Sequence, residues 1–147
     1  MSNQDQWLLA RGERDGLPML IRLAAAYRGM GPLHGYDHHI IVSAKLRSPT
    51  PAGFPSREEG DDLQRFEEDL CAVLEETNDS LCVLVITNNG LRDFIFYTRN
   101  PQGVKAKMDE ALPGLKGFEL SIAVEPDPEW EIYRAFDNML TAPSRPN

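Results

Sequence analysis

The chain has 147 residues, 41% hydrophobic and 26% charged, with a formal net charge of −8; this is the size of one ordinary domain, with enough apolar content for a core without metals or disulfides. No apolar run approaches the roughly 18 residues of a membrane span, and the start, MSNQDQWLL, has neither the basic opening nor the long apolar stretch of a signal peptide. These features argue against a membrane protein and a secreted scaffold, the acidic balance argues against direct nucleic-acid binding, and a cytoplasmic location is expected.

The first strand candidate is Trp7 to Arg11 and the second Met19 to Leu23, joined through Asp15-Gly16, a dipeptide suited to a tight hairpin turn. Residues 25–36 hold Gly29, Gly31, Pro32 and Gly35, which predict an irregular connection before a strand from His38 to Leu46. The prolines of SPTPAGFP, at 48–55, remove backbone donors and end that ladder. Ser56 followed by Glu59 fits a capping box. Leu63, Phe66, Leu70, Val73 and Leu74 then recur at helical spacing, predicting an amphipathic helix over about 57–76.

Leu81 to Thr87 reads as a central strand buried on both faces, and Asn89-Gly90 turns it back into Leu91 to Thr98. Asn100 with Pro101 signals a helix start, with Val104, Met108, Ala111 and Leu112 as its apolar face. A last strand is expected over Phe118 to Val124. Asp127-Pro128 then repeats the cap-and-proline signal before a C-terminal helix from Glu129 to Leu140 that carries Trp130, Ile132, Tyr133 and Phe136.

From His38 to Val124 the order is β-α-β-β-α-β, which right-handed crossovers pack as a ferredoxin-like α+β sandwich; the N-terminal β-hairpin and C-terminal helix are additions to it. Residues 1–140 are read as a single domain and 141–147 as a flexible tail. The apolar run LCVLVI needs cover on the far side of the sheet, from the hairpin, the last helix or a second subunit in a homodimer.

The charge is unevenly placed. Residues 57–79 hold ten acids against Arg57 and Arg65, a net −8, whereas residues 1–54 have six basic residues against four acids. A solvated helix face is the plain explanation, and a docking surface for a basic protein partner the functional one, with Glu58, Asp61, Asp62, Glu68 and Glu75 as its residues.

HGYDHH, at 34–39, gathers His34, Asp37, His38 and His39, but adjacent strand residues point to opposite faces and no later His or Cys pair completes a coordination sphere, so no metal or other cofactor is assigned. Cys71 and Cys82 read as small core hydrophobes. Asp127 is read as a helix cap and Glu129 as a first-turn acid rather than as catalytic groups. No nucleophile elbow or phosphate loop occurs, so no catalytic residue is assigned. Arg92 and Asp93 follow the Asn-Gly turn and must face opposite ways. An alternative to protein binding is a small-molecule or hydrolytic pocket between sheet and C-terminal helix, lined by Arg92, Tyr97, Trp130 and Tyr133. An RNA-binding sheet using Phe94, Phe96 and Tyr97 would need a basic surround.

Trp7 in an N-terminal strand, TNNGLRD leading into Phe96-Tyr97-Thr98, and Asp127-Pro128-Glu129-Trp130 with Tyr133 resemble the bacterial domain-of-unknown-function family 695 over roughly residues 5–140. That resemblance implies the fold and a bacterial cytoplasmic setting, and brings no catalytic residues. The strand order and late Trp/Tyr helix are, more distantly, similar to the regulator of ribonuclease activity B family. This likeness implies a non-enzymatic regulatory module that binds a protein, a ribonuclease among the basic partners.

Overall fold

The computed structural model describes residues 6–115 and 117–141, so the expected tail lies outside the described residues apart from Thr141. In chain order they form β1 (Trp7–Arg14), β2 (Leu17–Ala24), β3 (His38–Lys45), α1 (Arg57–Leu74), β4 (Ser80–Asn88), β5 (Leu91–Thr98), α2 (Pro101–Ala111), β6 (Glu119–Pro126) and α3 (Glu131–Thr141), with short 3-10 turns at Ala25–Tyr27 and Leu112–Gly114. The fold is α+β: one six-stranded antiparallel sheet, ordered β1-β2-β4-β5-β3-β6, and three α-helices among the described residues.

Local chemistry accounts for the two hairpins. Asp15 and Gly16 have φ of 55° and 80°, and Asn89 and Gly90 have 51° and 80°. Positive φ at both central residues is the I′ geometry whose twist matches the strands. The second turn is also clamped from outside: the Gly90 N–H donates to the Gly53 carbonyl at 2.9 Å, and Gly53, at φ 89°, has no room for a Cβ, which would lie 2.8 Å from the Asn89 Cα.

The helix starts follow the expected caps with two departures. Ser56 accepts from the Glu59 N–H at 3.2 Å, and Asn100 accepts from the Gly103 N–H at 3.0 Å. Glu59, however, does not complete a capping box. Its carboxylate, 3% exposed, accepts instead from the backbone N–H groups of Arg47 and Ser48, two donors left without ladder partners where the chain leaves β3. The last helix begins at Glu131 rather than Glu129 because Trp130 takes φ 56°; the turn it closes swings the indole onto the sheet.

Each face of the sheet carries its own core. On one side Ile40, Val42, Phe94 and Phe96 pack with Leu63, Phe66 and Leu70 of α1 and Val104 and Met108 of α2. On the other, Ile21, Leu84, Ile95 and Tyr97 pack with Trp130 and Tyr133 of α3. The far face of LCVLVI is thus covered by the C-terminal helix, whereas the N-terminal hairpin widens the sheet beyond β4. Tyr27 seats its ring edge-on to Trp130 and Tyr133, at 5.8 and 6.3 Å between centroids, and Arg28 pairs with Asp137 at 2.8 Å. These contacts tie the glycine-rich connection to α3. Cys71 and Cys82 are both thiols, Cys82 buried.

Candidate functional site

The most elaborate polar arrangement lies under α3. Register places His39 opposite Tyr97 across β3 and β5, and opposite Glu125 across β3 and β6; two residues beyond Glu125 the chain delivers Asp127 to the same face. Asp127, 4% exposed, accepts from the Tyr97 hydroxyl at 2.6 Å, from the Glu131 N–H at 2.7 Å and from His39 Nδ1 at 3.1 Å. Tyr97 stacks on Trp130 at 4.1 Å between ring centroids. The Trp130 indole N–H donates to the Tyr36 carbonyl at 2.7 Å, and the Tyr133 hydroxyl to the Ala24 carbonyl at 2.6 Å.

Electrostatics keeps Asp127 ionised and Tyr97 protonated. Burial alone would raise the Asp127 pKa, but the hydrogen bonds from Tyr97, the Glu131 N–H and His39 outweigh it and hold the carboxyl below its usual range. Burial first, and then the Asp127 hydrogen bond, push the Tyr97 phenol far up, so it stays a donor. A carboxylate can only accept, so His39 donates to Asp127 through Nδ1, which leaves Nε2 on the far side of the ring. That nitrogen is buried and makes no hydrogen bond; the nearest carboxylate oxygen, on the exposed Glu125, is 3.5 Å away. The arrangement is the Asp–His half of a catalytic triad. It lacks a hydroxyl or thiol on Nε2 among the described residues, and the burial of that atom denies it a substrate. Its chemistry is that of a cap and a tie, holding β3, β5 and the start of α3 together.

The proposed pocket residues divide between the two faces. Tyr97, Trp130 and Tyr133 are packed solid at 0%, 1% and 2% exposure. A cleft of about 390 Å³ opens beside them, edged by Tyr27, Gly29, Trp130, Tyr133 and Asp137. Arg92 does not join them, because it shares the α1 side of β5 with Phe94 and Phe96. There its Nε donates to Thr87 Oγ1 at 2.8 Å, while Asp93 on the opposite face accepts from the Ser43 hydroxyl at 2.7 Å. Burial, and then the neighbouring Arg22, lower the Arg92 pKa against the opposing pull of Glu67. The aromatics Phe94, Phe96 and Tyr97 are fully buried and offer no stacking platform for RNA.

The acidic residues of α1 also divide. Glu58, Asp61 and Glu68 are exposed and have no ion-pair partner among the described residues. Asp62 is held by Arg47 at 2.6 Å and by Arg65. Glu75 turns inward just past the helix and accepts from the Cys82 N–H at 3.0 Å, where burial raises its pKa. Of the histidine motif, His38 contacts Asp37 at 2.9 Å while His39 points into the sheet core. No group of three or more potential metal ligands forms among the described residues. No α-helix among them is long and apolar enough to cross a membrane.

Sequence reasoning missed the joining of His39, Tyr97 and Asp127, which are far apart in the chain. Two signals were present: a histidine and a tyrosine on strands predicted to lie in one sheet, and a cap aspartate at the end of a third. Only the strand register brings them together. In comparison with known proteins, the model of a family of unknown function, DUF695, matches residues 5–136. No curated protein and no solved structure matches the chain. With nearly the whole fold inside that match, from β1 to the middle of α3, the chain belongs to the family of unknown function DUF695.

Proposed function

We propose that this chain is a non-enzymatic protein-binding or regulatory module of the bacterial cytoplasm, and that the outer side of α1 is its contact surface for a basic partner. The observation that carries the reading is the exposure of Glu58, Asp61 and Glu68 on a helix whose opposite side is anchored in the core by Leu63, Phe66, Leu70 and Leu74. Such a face presents charge on a rigid element, and favours fast, salt-sensitive association with a basic surface. A ribonuclease is one class of partner with that chemistry. Asp62 and Glu75 contribute less than the sequence suggests, since the first is neutralised by arginines and the second is turned inward.

The same reading takes the four strands from β3 to β6 as a ferredoxin-like unit. Their spatial order, β6-β3-β5-β4, is what a split β-α-β with a second crossover produces, and the hairpin is an extension at the β4 edge.

The test compares wild type with E58K/D61K/E68K as immobilised baits in a lysate of the native host, with bound proteins identified by mass spectrometry. A basic protein held by wild type and lost by the variant, at unchanged thermal stability, supports the reading. Equal capture by both overturns it. The alternative, a small-molecule or hydrolytic pocket beside α3, has the 390 Å³ cleft at Trp130 and Tyr133 in its favour and no positioned nucleophile among the described residues.

A further inference from the structure

An α-helix is about 10 Å across and neighbouring strands lie about 4.8 Å apart, so two helices cover about four strands. The sheet has six. On the α1 side the hairpin is therefore only partly covered: Trp7 packs at the edge of that core, while Leu9 is 74% exposed. Two adjoining clefts of about 250 and 390 Å³ run between this partly covered surface and α1. Leu9, Leu20 and Val85 line the apolar one, Gly60, Glu67 and Glu68 wall the polar one, and Arg22 and Arg92 belong to both.

The charges in this groove are unevenly paired: of its two arginines and two glutamates, Arg22 and Glu67 form an ion pair, while Arg92 and Glu68 do not meet within ion-pair distance. Arg22 pairs with Glu67 and lies over the Trp7 ring at 5.0 Å. Among the described residues Arg92, half-buried, has only the neutral Thr87 hydroxyl as hydrogen-bond partner, and no carboxylate among them lies within ion-pair distance of it. A half-buried guanidinium with no carboxylate in direct contact is costly to keep, and its planar fork suits a carboxylate. Beside it the groove is aliphatic.

We propose that the groove binds a small amphipathic carboxylate, its head on Arg92 and its hydrocarbon tail along Leu9, Leu20 and Val85. The net charge of −8 disfavours polyanions at this site and suits a ligand with a single charge. Glu68, one of the exposed acids of α1, also edges the polar cleft, while Glu58 and Asp61 do not, and decanoate titration and partner capture read the two sites separately.

The test is titration of the 15N-labelled full chain with decanoate below its micelle range. Expected are saturable amide shifts at Leu9, Leu20, Gly60 and Arg92, binding weakened about tenfold or more in Arg92→Met through loss of the charge-assisted contact, and no saturable binding of decanol. Leu9→Glu, at an exposed position that the core does not use, places a carboxylate in the trough and should abolish binding while leaving the fold intact. The absence of saturable shifts in this groove, or decanoate and decanol binding alike, overturns the proposal. So does a concentration-dependent dimer of the unliganded chain that Leu9→Glu dissociates, since the groove would then be occupied by a second copy.

Discussion

Replacing Asp127 by asparagine tests whether the buried cluster under α3 is structural, because an amide cannot reproduce what the carboxylate does there. Oδ1 accepts from the Glu131 N–H, while Oδ2 accepts from both Tyr97 and His39. Asparagine has one acceptor oxygen. Turned toward Tyr97 and His39 it sets its NH2 against the Glu131 N–H, and turned the other way it sets that NH2 against two buried donors. Loss of one or two charge-assisted bonds, at about 1.5–3 kcal/mol each, predicts a destabilisation of about 1.5–6 kcal/mol. For a domain of this size that is a fall in Tm of about 5 °C or more at pH 7, measured by circular dichroism. The acid limb gives a second readout. The Asp127 pKa is depressed in the folded chain, so its stabilisation is present above the unfolded-state value and is lost as pH falls through the folded one, below about pH 4. Wild type should therefore lose stability more steeply than Asp127→Asn in that range. A Tm within about 2 °C of wild type, or parallel acid limbs, would refute the assignment of Asp127 as a structural tie.

Glu75→Gln should behave in the opposite sense: the Glu75 pKa is raised by burial, so the ionised form opposes folding above that pKa and stability grows as pH falls through it. The amide can still accept from the Cys82 N–H, so no loss of stability at pH 7 is expected in urea unfolding, and a loss beyond about 1 kcal/mol would contradict the role given to burial. Two glycines separate conformational need from mere presence. Gly53→Ala forces a Cβ against the Asn89 backbone at positive φ and should cost more than about 2 kcal/mol. Gly60→Ala meets nothing within 4 Å inside α1 and should gain about 0.5–1 kcal/mol; the reverse order of these two variants would contradict the clamp on the β4–β5 turn.

The elements legible in the sequence were those fixed by adjacent residues. Asp15-Gly16 and Asn89-Gly90 dictate their turns, and Ser56 and Asn100 their helix starts, through chemistry confined to a few positions. What escaped needed a partner from elsewhere in the chain. Glu59 has the sequence spacing of a capping box, but the orphan N–H groups of Arg47 and Ser48 claim its carboxylate. Asp127 reads as an ordinary cap, yet it also accepts from His39 and Tyr97, and a turn closed by Trp130 delays the helix. The opposite facing of Arg92 and Asp93 followed from strand alternation alone. Which of the two met helix α1 depended on the register of β5, and that placement separated Arg92 from the α3 aromatics.

The most direct test of the protein-binding claim is stopped-flow association of the basic partner recovered by wild-type bait, against wild type and E58Q/D61Q/E68Q at two ionic strengths. Removal of three exposed charges is predicted to slow association by about tenfold or more at low salt and to flatten its salt dependence. An association rate unchanged by the three substitutions, with the same salt dependence as wild type, would contradict the placement of the contact surface on α1.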